Sequence, residues 1–324
     1  MTAIKYLIMC VVFCAAPLGA AALSYPAKPV RMVVPWPPGG ATDILARALS
    51  EPLTRALGQT VIVDNRGGSN GIIGAESVAR AAPDGYTIMF HIVTSHVTNP
   101  AVYKKLNYDT INDFAPITQI AWTPMVMVPH PAFPPKTVSE LVTLARTRPA
   151  QVDYASFGIG SMSHLAGEMF NGMANVRMTH IPYKGGAAAL IDTIAGHVPL
   201  NFAGITPSLP HINAGKLRAL AVTGKVSSRQ LPGVPPVAAT RGLEAYEATN
   251  MFATWAPAKT PPDIIGRLKG AIVKILHTPD FTQRLEREGA SAPIGNTPEQ
   301  MAATLRADML KLTKLAKSAG VEPQ

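Results

Sequence analysis

Apolar residues run almost unbroken from Val30 to Val34 (VRMVV), stop at the loop PWPPGG, and resume at helical spacing in ATDILARALSEPLTRAL, where Leu45, Leu49, Leu53 and Leu57 recur every fourth position. This predicts a strand, a tight loop and a helix from about Asp43. The pattern then repeats. TVIVDN reads as a strand followed by a helix near Ile72 to Arg80, and YTIMFHIV and TPMVMVPH read as further strands. A second series opens with the helix TVSELVTLARTR and the strand QVDYASF. It continues with a helix from Ser163, the strand MTHIPYK, the helix AAALIDTIAGH and the strands VPLNFAG and LRALAVTG. Two amphipathic helices that open at Pro-rich, Thr-Pro sites close the chain, in PPDIIGRLKGAIVKIL and TPEQMAATLRADMLKLTKLAKSAGV. Strands alternating with helices imply parallel βαβ pairing, and the two series imply two α/β units.

Two of the strand-to-helix junctions are rich in glycine and hydroxyl groups. In PWPPGGATDI the glycines let backbone amides approach a ligand, and the helix start adds unpaired N–H groups and the positive end of its dipole. A carboxylate or phosphate fits such a place without a lysine. The alternative is a plain turn with Asp43 in the first turn of the helix. YASFGIGSMSHLAGEMF repeats the arrangement, with Gly158, Gly160, Ser161 and Ser163 at a helix start. Two such loops at the carboxyl ends of strands, facing each other across a cleft, clamp one acid from both sides.

Composition narrows the partners. The chain has 324 residues, beyond the ~250 at which single cores divide, and 47% of it is hydrophobic against 15% charged, which predicts two folded domains rather than disorder. A net charge of +9 draws nucleic acid, acidic membrane surfaces or small anions. The basic residues are scattered rather than clustered, so small anions fit and nucleic acid does not. Residues 1–24 read as a cleaved signal peptide: Lys5, the apolar run YLIMCVVFCAAPL, and small residues GAAALS before a cut near Ala22 or Ser24. Pro17 and Gly19 interrupt the run short of the ~20 residues that an anchor needs. Both cysteines, Cys10 and Cys14, lie inside it, so the mature chain carries no thiol for disulfides, nucleophilic catalysis or metal ligation. Phe13 before Cys14 argues against a lipid anchor, leaving a free secreted protein.

Enzyme readings have less to stand on. Ser161 and His164 of GIGSMSH offer a secreted serine hydrolase as an alternative, but they lie one helical turn apart, outside any G-x-S-x-G elbow and without an acidic third member. His164 reads instead as a helix residue whose ring bonds a neighbouring strand. His91, His96, His180 and His197 show no metal-ligand spacing, so no metal is expected. Gly68, Gly71 and Gly74 in NRGGSNGIIGAESVA are spaced like a dinucleotide fingerprint, yet the acidic strand end due about 20 residues later is missing. The segment reads as a turn and helix start, and no cofactor is expected.

In order along the chain, YPAKPVRMVVPWPPGGATDILAR, VDNRGGSNGIIGAESVARAAPDGYT, HVTNPAVYKKLNYDTINDFAPIT, YASFGIGSMSHLAGEMF, IPYKGGAAALIDTIAGHV and INAGKLRALAV resemble the Bug family, the periplasmic solute-binding proteins of tripartite tricarboxylate transporters. The resemblance runs from about Tyr25 to the C-terminus. It implies an α/β Venus flytrap of two domains, with mostly parallel sheets, helices on both faces and two crossover strands near AWTPMVM and TNMFATWAP. Domain 1 comprises residues 25–124 plus 250–324, and domain 2 residues 125–249. It implies that main-chain amides and hydroxyls of two loops hold a ligand carboxylate. By position, Trp36, Pro38, Gly40, Ala41 and Thr42 contact the ligand from domain 1, and Thr94 and Ser95 line the floor. Gly158, Gly160, Ser161 and His164 face them from domain 2, joined by Tyr183 of PYKGG. The indole of Trp36 adds an apolar or stacking wall. VPLNFAGITPSLP departs from the LMFDN pattern of many relatives, placing Ala203 where an aspartate can meet an amino group. This favours a ligand without a cationic amine, unless Asn201 or Thr206 compensates. The function implied is capture of a carboxylated organic anion, a di- or tricarboxylate or an aromatic acid, in the periplasm by a monomer that delivers it to the membrane transporter. A ligand-presenting sensor subunit for a membrane receptor is the alternative on the same fold.

Overall fold

This computed structural model describes residues 25–290, 293–318 and 321; the expected signal peptide, residues 1–24, lies outside the described residues. The first half contains β1 (Val30–Val34), α1 (Ala41–Leu57), β2 (Val61–Asn65), α2 (Ile72–Ala79), β3 (Thr87–Ile92), α3 (Val93–Val102) and a long strand β4 (Phe114–Pro129). The second contains α4 (Val138–Thr147), β5 (Asp153–Ser156), α5 (Met162–Ala174), β6 (Thr179–Pro182), α6 (Gly186–Ile194), β7 (Leu200–Gly204), α7 (Ile205–Asn213) and β8 (Ala221–Val222). The chain then returns through β9 (Thr249–Pro257) to α8 (Pro262–Leu276), α9 (Pro279–Arg287) and α10 (Pro298–Ser318).

One sheet path runs β2-β1-β3-β9-β4-β7-β5-β6, with β8 on β4. Pairing is parallel where β1 meets β2 and β3, and where β5 meets β6 and β7. It is antiparallel along β9 and β4. β4 changes company in mid-strand: Phe114 to Pro124 pair with β9, while Met125 to Pro129 pair with β7, and Val126 and Met127 also with β8.

Helices cover both faces because successive strand residues point to opposite sides. In β1, Met32 and Val34 pack with Leu45, Leu49 and Leu53 of α1. Val33 packs with Val97 of α3 and Met301 and Leu305 of α10. Burying each of these leucines stabilises by roughly 1.5–3 kcal/mol. In β7, Phe202 faces Leu165 and Phe170 of α5, and Ala203 faces Leu190 of α6.

Three helices go beyond the sequence pattern. α3 follows β3 without an intervening residue, so its opening turn reads as a continuation of the strand. α7 carries Pro207 and Pro210, which disguise its period. α9 makes three C-terminal helices rather than two; it opens at Thr278-Pro279, with the Thr278 side chain capping Phe281 N, the same signature as its neighbours.

Candidate functional site

The carboxyl ends of β1, β3, β5, β6 and β7 open on one place, a cavity of about 30 Å³ between the two halves of the molecule. Four helices begin at its wall: α1 after Gly40, α3 after Ile92, α6 at Gly186 and α7 after Gly204. No side chain caps the first turn of any of the four. Thr137, Ser161 and Thr278, by contrast, cap α4, α5 and α9. An uncapped start leaves backbone N–H groups unpaired and presents the positive end of the helix dipole. No Lys, Arg, His, Asp or Glu lines the cavity among the described residues. The place is therefore electropositive without a cation, which suits a carboxylate.

The first loop is braced from behind. Asp43 Oδ2 accepts from Gly39 N at 3.0 Å, and its Oδ1 accepts from Arg47 Nε and Asn65 Nδ2, each at 3.0 Å. Asn65 Nδ2 also donates to Trp36 O at 3.0 Å, tying the end of β2 to the loop. Burial pushes the Asp43 carboxyl up, but the bonds from Arg47, Gly39 and Asn65 outweigh it and hold the group below its ordinary value. Gly39 turns the chain at φ 82°. The indole of Trp36 is buried and donates from Nε1 to His91 Nδ1 at 3.1 Å. This places the imidazole proton on Nε2. Burial, and then the neighbouring His96, keep His91 well below its usual range, so the ring is neutral. Gly71, at φ 89°, makes room for it: a Cβ there would lie 2.8 Å from His91 Nε2. That close approach accounts for a glycine at Gly71.

The second loop docks on α3. Gly160 O accepts from Thr98 Oγ1 at 2.9 Å, and a Cβ on Gly160, which has φ 77°, would come within 2.8 Å of Val102. Gly160 N donates to His164 Nδ1 at 3.2 Å. Ser161 Oγ donates to Gly158 O at 2.6 Å and accepts from His164 N at 3.3 Å. The His164 ring stacks on His180 of β6 with centroids 3.8 Å apart, rather than bonding that strand through a ring nitrogen. Burial lowers His164 to about 4; burial and then His164 lower His180 to about 3. His180 Nε2 lies 2.5 Å from Ser156 Oγ, which accepts from Gly158 N. Ser161 and His164 are thus occupied in shaping a loop: the Ser161 hydroxyl is directed to Gly158 O and the His164 ring to Gly160 N, not to each other.

Of the residues expected at the site, Trp36, Gly40, Ala41 and Thr42 line the cavity. Pro38 is exposed at the rim; Pro37 lines the wall instead, and a Cβ on Gly185 would sit 3.1 Å from its ring. Thr94 is buried against a second, larger space of about 860 Å³, shared with Met162 and Met251. Ser95 is fully buried, and its Oγ has no partner. Gly158, Gly160, Ser161 and His164 build the second loop, but the side chain it sends to the cavity is Phe157. Tyr183 donates from its hydroxyl to Asp192 Oδ2 on α6 at 2.8 Å, and burial followed by Asp192 pushes that hydroxyl up to about 12. The wall also includes Ile92, Gly186, Gly204, Asn250 and Phe252. Ile92 and Gly204 end strands, so the rule of ligands at carboxyl ends was the available signal; Asn250 and Phe252 come from β9 and have none. Ala203 lines the cavity as well. Thr206 donates to Glu288 O, which commits its hydroxyl elsewhere, and the amide of Asn201 is buried with neither end paired.

Comparison with known proteins places the chain in a family. The family model described as "Tripartite tricarboxylate transporter family receptor" matches residues 45–320. Protein BugT of Bordetella pertussis is 32% identical over 309 residues, covering 95% of this chain and 94% of BugT. Among solved structures, an R. palustris protein with adipate is 35% identical at a TM-score of 0.89, covering 93% of this chain and all of that one (100%). MatC of Rhodopseudomonas palustris with bound malate is 28% identical at a TM-score of 0.83, covering 90% of this chain and 99% of that chain. The fold is accordingly the two-domain α/β architecture of periplasmic binding proteins, and the chain belongs to the tripartite tricarboxylate transporter receptor family, that of the Bug solute-binding proteins.

Proposed function

We propose that this chain is exported behind a cleaved signal peptide and captures a carboxylated organic anion in the periplasm. The ligand, a di- or tricarboxylate or an aromatic acid, is held between a domain of residues 25–124 with 250–324 and one of residues 125–249. It is then delivered to the membrane components of a tripartite tricarboxylate transporter. The observation that carries this reading is the convergence of four uncapped helix starts on one cavity that no charged side chain lines among the described residues. Closure expels water and strengthens each amide-to-carboxylate bond, and the transporter reads the closed surface. The bond from Thr98 to Gly160, and the approach of Pro37 to Gly185 that would leave a Cβ there only 3.1 Å away, support a closed arrangement of the two halves. Binding proceeds without turnover.

The test is a thermal-shift screen of residues 25–324, freed of carried-over ligand, against mono-, di- and tricarboxylates, aromatic acids and amino acids. An acid at about 100 times its Kd adds ~2.7 kcal/mol of apparent stability. A shift confined to acids supports the reading. Absence of any shift overturns it.

A further inference from the structure

We infer that the acid taken by this cleft carries a hydroxyl group and a flat apolar body, lacks an ammonium group, and presents its hydroxyl to Asn250. The inference rests on the reading of the cleft as a carboxylate site. Away from the helix starts, the wall includes Trp36, Phe157, Leu190, Ala203 and Phe252. Among the described residues, two uncharged polar side chains reach it, Thr42 and Asn250. Asn250 precedes Phe252 by two positions on β9, so both side chains stand on the same face. It is 2% exposed, and its Oδ1 has no hydrogen-bond partner. An unpaired buried amide oxygen is unfavourable, and a ligand that brings a donor relieves it. A carboxylate only accepts and cannot serve. A hydroxyl donates to Oδ1 and accepts from Nδ2, which matches both ends of the amide.

Charge selects in the same direction. Ala203, 2% exposed, offers a methyl group, and no carboxylate lines the cavity among the described residues, so an ammonium would be desolvated without a counter-charge. A second carboxylate would meet the aromatic wall unpaired. The cavity of about 30 Å³ has room for roughly two waters. A flat body with one apolar face to this wall widens so small a space least.

Calorimetry with matched probes on residues 25–324 tests this: benzoate, 3-hydroxybenzoate, 4-hydroxybenzoate, citrate and glutamate. One of the two hydroxybenzoates is expected to bind at least about tenfold more tightly than benzoate. Asn250→Leu is expected to abolish that difference, and Ala203→Asp to weaken the hydroxybenzoate by placing a like charge beside it. Equal binding of benzoate and both hydroxybenzoates overturns the inference and leaves the carboxylate reading standing, as does tighter binding of citrate or glutamate. Failure of every acid removes the carboxylate reading itself. The comparison among probes on the unaltered protein decides the matter even where a variant does not fold.

Discussion

His96 supplies a test of how burial sets the acid limit of this fold. The residue lies on α3, with Tyr108, Phe114 and Trp255 around its ring at centroid distances of 6.4, 4.8 and 5.0 Å. Its Nε2 donates to Thr110 O at 2.9 Å. Burial lowers the imidazole to about 4, with the bond to Thr110 pulling part of the way back. In the unfolded chain the group titrates near its ordinary ~6.5. Because the folded value is the lower one, the unfolded chain takes the proton first; stability is complete above about pH 6.5 and is lost as pH falls toward about 4. From about pH 7.5 to about pH 5 a single such group removes ~2 kcal/mol. His96→Phe keeps an aromatic ring in the cage and loses the bond to Thr110, costing ~1 kcal/mol at neutral pH. His91 loses in the variant the neighbour that helps depress it, which lessens acid destabilisation in the same direction, while His164 and His180 keep their surroundings in both proteins and cancel. Urea unfolding at the two pH values should therefore show the variant less stable near neutrality and more stable at about pH 5. Parallel pH profiles for the two proteins would refute the assignment of a neutral, depressed His96.

Two further outcomes follow from the second loop. Thr98→Val removes the bond that joins α3 to Gly160 and should weaken binding of the best acid about fivefold, on the order of 1 kcal/mol, in a calorimetric titration; unchanged affinity would show that this contact is not part of closure. Ser161→Ala removes the cap of α5 and should cost ~1 kcal/mol, a fall in melting temperature of roughly 2 °C, with no ester hydrolysis in either protein. Hydrolysis by the unaltered protein that disappears in the variant would instead favour the hydrolase.

The alternation of apolar runs with helical periods lays out most of both α/β series, because their elements other than α3 and α7 carry their own pattern. VRMVV and LARAL are buried as their spacing requires, and the loop between them was marked by Pro37, Pro38, Gly39 and Gly40. α3 was hidden because His91 to Thr94 gives no breaker between strand and helix. Thr94, expected on the cleft floor by its position in the family pattern, stands in the first turn of α3 and lines the larger space. Asn250 reaches the cavity through the pairing of Asn250 with Thr123, a register between segments far apart in the chain. No local pattern encodes it. Tyr183 was placed by its neighbours in PYKGG, but Asp192 one helix later decides where its hydroxyl points.

The mid-strand change of partners in β4 also bears on how the chain acquires its structure. Met125 to Pro129 join β7 only after Leu200 exists, and Phe114 to Pro124 wait for Thr249 to Pro257, which also complete β3. The central pairings of both halves are thus among the most distant in the sequence, and closing such loops before any reward makes acquisition slow. A chain that lingers without its central strands remains threadable, the condition that the export proposed above would require.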